Sequence, residues 1–426
     1  MIYPGPLNHA QRAKTQKNYC LFNLVNGASY MCLGETLIVL FAIKLNAPNG
    51  MVAALSATIY FAFCMLPLGK LVAARVGAAR SQAVFWTWRN IVAVGVASSA
   101  VTAYVGYPTL ALVQIFIGAC LFYGLRAAGV VMAQPFIGDM ANEQERPHLL
   151  GMSYALFYVG SVCTLLLICL VLNWSESVWV ITGIIVFGAV LGVSSTWFIR
   201  QMDESPAMIR AARKPIMPGI RQVWQIAAVR KLLFAMFAAT LSLISIGAVS
   251  MLSVKRGYGI SDTAALFFSL VQFASSGAVS YFLSRLIKRF GERKTICWSF
   301  SLMLSVAVMW IFAPVKVNYL YCVLIFFCVG SAFVICSSAL TAYYLQVTPV
   351  ELRVAGSMLT TVVTSVLAGL AGMLWAAVVF KILDNIGADW LPLNCFKVYF
   401  FITLLVLLIG ARWVWILPEK SDKSAK

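Results

Sequence analysis

Apolar residues in this sequence come in long blocks, each near the roughly 20 residues that a helix needs to cross a bilayer core of about 30 Å. A water-soluble fold has no means of hiding them. Of the 426 residues 62% are hydrophobic and 11% charged, against about 45–50% and about 25% in a soluble domain. The solvent is therefore lipid. The blocks place about twelve spans, near 19–45, 50–74, 82–106, 109–135, 150–172, 177–199, 231–254, 261–284, 295–315, 319–343, 355–380 and 397–417. The expected fold class is all-α integral membrane, with twelve transmembrane helices in two pseudo-symmetric six-helix bundles.

A formal charge of +18 could indicate nucleic acid or topology, and its distribution decides. With both termini inside, only Lys44, Lys255, Arg256, Lys316, Lys381 and Lys397 of the 32 Lys and Arg residues fall outside. Arg89 and Arg126 lie within spans, and the rest face the cytoplasm. That is the positive-inside asymmetry. No nucleic-acid partner is expected; the partners are the bilayer and a small solute, and the chain is expected to be monomeric. The localisation is a cell membrane, the inner membrane if the source is bacterial. Ten of the eleven cysteines fall inside or at the ends of apolar blocks, so they read as small buried residues.

Residues 1–18 form a cytoplasmic lead, 19–199 a first bundle, 200–230 a basic, proline-bearing cytoplasmic linker, 231–417 a second bundle and 418–426 a tail. Ile220 to Ala228 reads equally as an amphipathic surface helix or a solvated linker. The two halves share punctuation about 210 residues apart. Arg75, Gly77 and Arg80 follow the second span as Arg289, Gly291 and Arg293 follow the eighth, and Arg146 before Gly151 is echoed by Arg353 before Gly356. Basic turns of this kind suit short cytoplasmic hairpins, because Gly takes backbone angles that other residues avoid.

On this arrangement the chain resembles the major facilitator superfamily over essentially its whole length, from Tyr19 to Pro418. The superfamily's loop motif is matched at Arg75, Gly77 and Arg80, while its acidic position is Ala74 and its opening Gly is Lys70 or, with a slip of one residue, Gly69. The resemblance implies alternating access in a secondary transporter, with the first and fourth helices of each half lining the solute path.

Ionisable residues inside a bilayer mark a pathway, a relay or a structural pair. Arg126 stands one turn after Tyr123 in the fourth span and can hold a carboxylate or phosphate by two parallel hydrogen bonds. The alternative is a packing Arg paired to Asp139 or Glu143. Arg89 lies about two turns from the cytoplasmic end of its span, near enough to snorkel there, and reads as structural. Glu35 is the one acid well inside a span and the candidate for proton coupling. Asn26 and Tyr30 share a helical stripe with Asn23 and Gly34. Tyr158, Gln272 and Ser338, with Tyr60, Ser161, Ser276 and Thr364, either line the solute path or bond to neighbouring backbone.

No P-loop and no paired His and Glu on a helix are present, so no enzyme activity, cofactor or metal is expected. Two buried cations against one buried acid favour an anionic or zwitterionic organic solute, with proton symport through Glu35. The alternatives are efflux of a lipophilic or cationic compound and, in another class, a non-transporting membrane receptor or scaffold.

Overall fold

A computed structural model of the chain describes residues 5–48, 51, 55, 58, 62–175, 177–260, 262–386 and 392–418. Within these residues the regular structure is helical, with no strand. Lipid imposes this, since backbone N–H and C=O groups out of reach of water must bond within their own segment. Among the described residues nine helices are long and apolar enough to cross a membrane. One of them, Phe267–Ile311, is two helices meeting at Gly291, and it covers the spans read at 261–284 and 295–315. The span read at 50–74 falls partly outside the described residues, as does Tyr60.

The helices used below are α1 (His9–Leu33), α2 (Glu35–Lys44), α3 (Leu66–Val76), α4 (Ala78–Ala97), α5 (Ser99–Tyr104) and α6 (Pro108–Val130). They continue with α7 (Ala133–Met140), α8 (Arg146–Trp174), α9 (Val178–Arg200), α10 (Pro206–Arg213), α11 (Ile216–Gln225) and α12 (Ala227–Leu252). The last are α13 (Asp262–Ile311), α14 (Tyr319–Val347), α15 (Arg353–Thr361), α16 (Ala368–Ile386) and α17 (Pro392–Trp415). The first span is thus α1 and α2, interrupted at Gly34, whose backbone is extended.

The chain divides into two compact units, one of Met1–Gly219 with Val350–Met358 and the other of Ile220–Pro349 with Leu359–Lys426. In the first, α1 packs against α8 and α9, and α4 against α6 and α9. Its core gathers Cys32, Leu33, Phe41, Ile115, Ile181 and Ile185. The second is built on α13 against α14 and α17, with α12 against α16 and α17. Flat aromatic stacks fill it: Trp310 on Phe400 at 5.5 Å and Phe380 on Tyr399 at 4.9 Å between ring centres. The polar tips of these rings are satisfied, Trp310 Nε1 donating to Ser250 Oγ and the Tyr399 hydroxyl to the Ser245 carbonyl.

The matched turns of the two halves share a backbone. Gly77 has φ 95° and ψ 166°, and Gly291 has φ 80° and ψ 160°. That region is open almost only to glycine. At Gly77 there is a second reason, since a Cβ there would lie 1.9 Å from a Glu204 carboxylate oxygen.

Glu204 is buried and accepts hydrogen bonds from the Ala78 and Ala79 N–H groups at 2.6 and 3.4 Å. It so caps the first turn of α4, whose free N–H groups favour a negative charge. Its neighbours anchor the same corner: Asp203 pairs with Lys14 at 3.1 Å, and Ser205 donates to Asp139 through N–H and Oγ at 2.9 and 2.6 Å. Glu204→Ala would leave the two buried N–H groups without an acceptor, so a loss of about 1–3 kcal/mol in stability is expected, read as a lower Tm of purified protein. Burial holds the Glu204 carboxyl above the usual carboxylate range, against the opposing pull of the two N–H groups. The folded chain therefore keeps this proton over a pH window in which the unfolded chain has shed it. Stability from this group falls as pH rises from the ordinary carboxylate value through the raised one. Glu204→Gln should flatten that part of the Tm–pH curve; an unchanged curve would remove Glu204 from the linkage.

Candidate functional site

The polar and aromatic residues read from the first half lie in the first unit. Along α1, Asn26 and Tyr30 lie one turn apart on one stripe. Asn26 Oδ1 accepts from Trp86 Nε1 of α4 at 3.0 Å. The Tyr30 ring lies 5.7 Å from that of Phe157 on α8, and the Arg126 guanidinium of α6 sits 5.1 Å from its centre. Tyr123, a turn before Arg126, is buried and packs edge-on to Phe122 at 5.2 Å. Tyr158 is buried beside Phe157, their rings 5.4 Å apart.

Arg126 is half-buried, and among the described residues no carboxylate lies within ion-pair reach of it. Asp139, read as a possible partner, instead accepts from Ser205. A cation held over a ring face by the ring's quadrupole, with its hydrogen-bonding edge not taken by an acid, is suited to receive an anion. The side chain of Glu35 lies outside the described residues; its backbone opens α2 directly after the break at Gly34.

Arg89 departs from its sequence reading. It does not reach the cytoplasmic end of its span: it is 1% exposed. Its guanidinium lies 4.4 Å from the Trp86 ring and 5.1 Å from the Phe122 ring. These two aromatic walls, one from its own helix and one from α6, close the route by which it would snorkel.

In the second unit Gln272 lies on α13 and Ser338 on α14. The Gln272 carbonyl accepts from Ser275 and Ser276 at 2.8 and 2.9 Å, and Ser338 Oγ is buried without a hydrogen-bond partner among the described residues. Three other candidates take the backbone-bonding alternative. Ser161 donates to the Phe157 and Gly27 carbonyls, Ser276 also to that of Gly330, and Thr364 to that of Thr360. In the turns, Arg75, Arg80 and Arg289 are exposed, Arg213 Nε donates to the Ala74 carbonyl at 3.1 Å, and Arg293 Nη2 donates to the Trp415 carbonyl at 2.7 Å. Among the described residues no group of His, Cys, Asp and Glu could hold a metal ion.

The sequence profile of the Major Facilitator Superfamily matches residues 19–373. The chain belongs to this superfamily. No curated protein matches it in sequence. Its fold is similar to that of the proton:xylose symporter XylE bound to 6-bromo-6-deoxy-D-glucose, with TM-score 0.70, 13% identity and 97% of each chain covered. The human organic anion transporter MFSD10 (TETRAN) gives TM-score 0.67 and 13% identity, over 95% of this chain and 99% of that one. A bacterial homologue of the iron transporter ferroportin, in its outward-facing state, gives 0.67 and 10%, over 94% and 98%. At these identities the likeness shows the fold. As a superfamily member the chain is a multi-pass membrane protein and a secondary transporter, not an enzyme.

Within this superfamily member, sequence reasoning passed over Trp86, Phe122 and Phe157. Trp86 stands one turn before Arg89, and an indole that close to an intramembrane Arg was the available signal. Nothing local marks Phe157.

Proposed function

We propose that the protein transports a small organic anion or zwitterion, held by Arg126 with Tyr30, Asn26 and Tyr123 around it. The observation that supports this reading is a guanidinium seated on the Tyr30 ring with no described carboxylate in reach. An isolated charge in a membrane span is unfavourable unless something compensates it, and an anionic solute does so. Glu35 is proposed as the proton-coupling group, because it is the one acid well inside a span of the sequence. Other members of the fold include a proton:xylose and a Fucose:proton symporter, so proton coupling has precedent on this scaffold.

The test is uptake into proteoliposomes of radiolabelled organic anions, matched neutral solutes and lipophilic cations, with and without a pH gradient. Anions should accumulate and the gradient should drive them. Glu35→Gln should insert normally yet lose the gradient dependence; unchanged dependence would remove Glu35 from coupling. Uptake of cations or neutral solutes alone would defeat the anion reading.

A further inference from the structure

A second cation stands beside Arg126, and its hydrogen-bonding edge is unmet. Arg89 is 1% exposed, and its Nε and Nη2 atoms are buried with no hydrogen-bond partner among the described residues. Those two nitrogens share one edge of the guanidinium plane. Their N–H bonds run parallel, forming the fork that takes both oxygens of a carboxylate or two of a phosphate. The other faces are occupied by rings: Trp86 at 4.4 Å and Phe122 at 5.1 Å. Phe122 is also one turn before Arg126 on the same face of α6, so the two guanidiniums are neighbours across α4 and α6 and repel one another. Among the described residues no acid lies between them.

Such an arrangement is unfavourable in itself. Two like charges in a membrane span, one fully buried with unmet donors, lack the pairing that ordinarily makes buried charge tolerable. Ring faces offset part of this through cation–π attraction, but they satisfy no N–H donor. An acceptor with two oxygens on the Nε–Nη2 edge would supply that pairing.

We infer that Arg89 is a second binding residue for the transported solute, which carries two negative charges: two oxygens sit on the Nε–Nη2 fork of Arg89, and a further anionic oxygen, from a second carboxylate or from the same phosphate, sits at Arg126. The solute class is a small dianion, either a dicarboxylate or a phosphomonoester. This rests on the anion reading of Arg126 and sharpens it. A monoanion would leave one of the two guanidiniums uncompensated.

The experiment is calorimetric binding to the purified full chain in detergent, with succinate, glycerol 3-phosphate and butyrate as probes. Wild-type protein should bind at least one of the two dianions roughly tenfold or more tightly than butyrate, and which of the two it prefers identifies the chemical group. Arg89→Gln should lower dianion affinity by roughly 30-fold or more and butyrate affinity, carried by Arg126, by clearly less. Arg89→Lys keeps the charge and loses the fork, so it should fall between them. Equal affinity of wild type for butyrate and both dianions, or full dianion affinity in folded Arg89→Gln, overturns the inference and leaves Arg126 standing. If neither variant elutes as folded protein, Arg89 is a packing residue and the inference is overturned as well. Absence of any anion binding would instead sink the anion reading itself.

Discussion

Arg126→Gln should lose most solute binding, and Arg126→Lys should keep a weakened form of it. Gln retains hydrogen-bonding capacity and drops the charge; Lys retains the charge and drops the planar two-pronged donor set. Removing one member of a desolvated charge pair costs about 2–5 kcal/mol, or roughly 30-fold or more in affinity. Binding has to be measured directly, on protein whose elution profile shows it folded, because a misfolded variant would also fail to transport. Arg126 touches the Tyr30 ring and no described acid, so little of the fold depends on it and both variants should elute normally. Full affinity in folded Arg126→Gln would end the anion reading and promote efflux of lipophilic or cationic compounds.

Gly27→Val should lower stability by about 3 kcal/mol or more, at or above the upper end of ordinary overpacking. A Cβ at Gly27 would lie 2.0 Å from the Phe157 carbonyl oxygen of α8. Across the same seam a Cβ at Gly160 would lie 2.1 Å from the Leu24 carbonyl oxygen. Both obstacles are backbone, so no rotamer change relieves them and the helices must separate. Small residues at such seams let membrane helices approach closely, where dispersion and polar contacts replace the hydrophobic effect as the source of association. Asn26 and Tyr30 flank Gly27 on α1, and Phe157 meets Tyr30 across the seam, so separation would also displace the Arg126 platform. Gly183→Val is the control, since a Cβ there meets nothing within 4 Å. The measurement is Tm together with the monodisperse fraction on gel filtration; a wild-type Tm for Gly27→Val would show that the seam yields more readily than this geometry implies.

The loop motif illustrates where sequence reading stopped. It matched Arg75, Gly77 and Arg80 and found Ala74 in place of an acid. A carboxylate does reach that turn, from Glu204, 126 residues further along the chain. No spacing rule connects residue 204 to residue 78, because the contact exists only once the α9 exit and the α3–α4 turn lie side by side. Arg89 is the same lesson with the opposite sign. Its distance from the helix end gave a snorkelling residue, and the rings of Trp86 and Phe122 made it a buried one.

The sequence by itself determined the solvent, the helical class, the superfamily and the two glycine turns. These follow from local quantities: the length and apolarity of each block, the backbone angles that only Gly adopts, and punctuation repeated in the two halves. It also singled out Arg126, since an intramembrane guanidinium is conspicuous wherever it points. Only the tertiary structure decided what surrounds each charge. Tyr30 under Arg126, the Phe122 ring against Arg89, and Ser205 rather than Arg126 on Asp139 come from segments far apart in sequence. Their juxtaposition is set by close-packed seams such as Gly27 against Phe157, where steric fit between whole helices, and not the chemistry of any one segment, fixes which side chains meet.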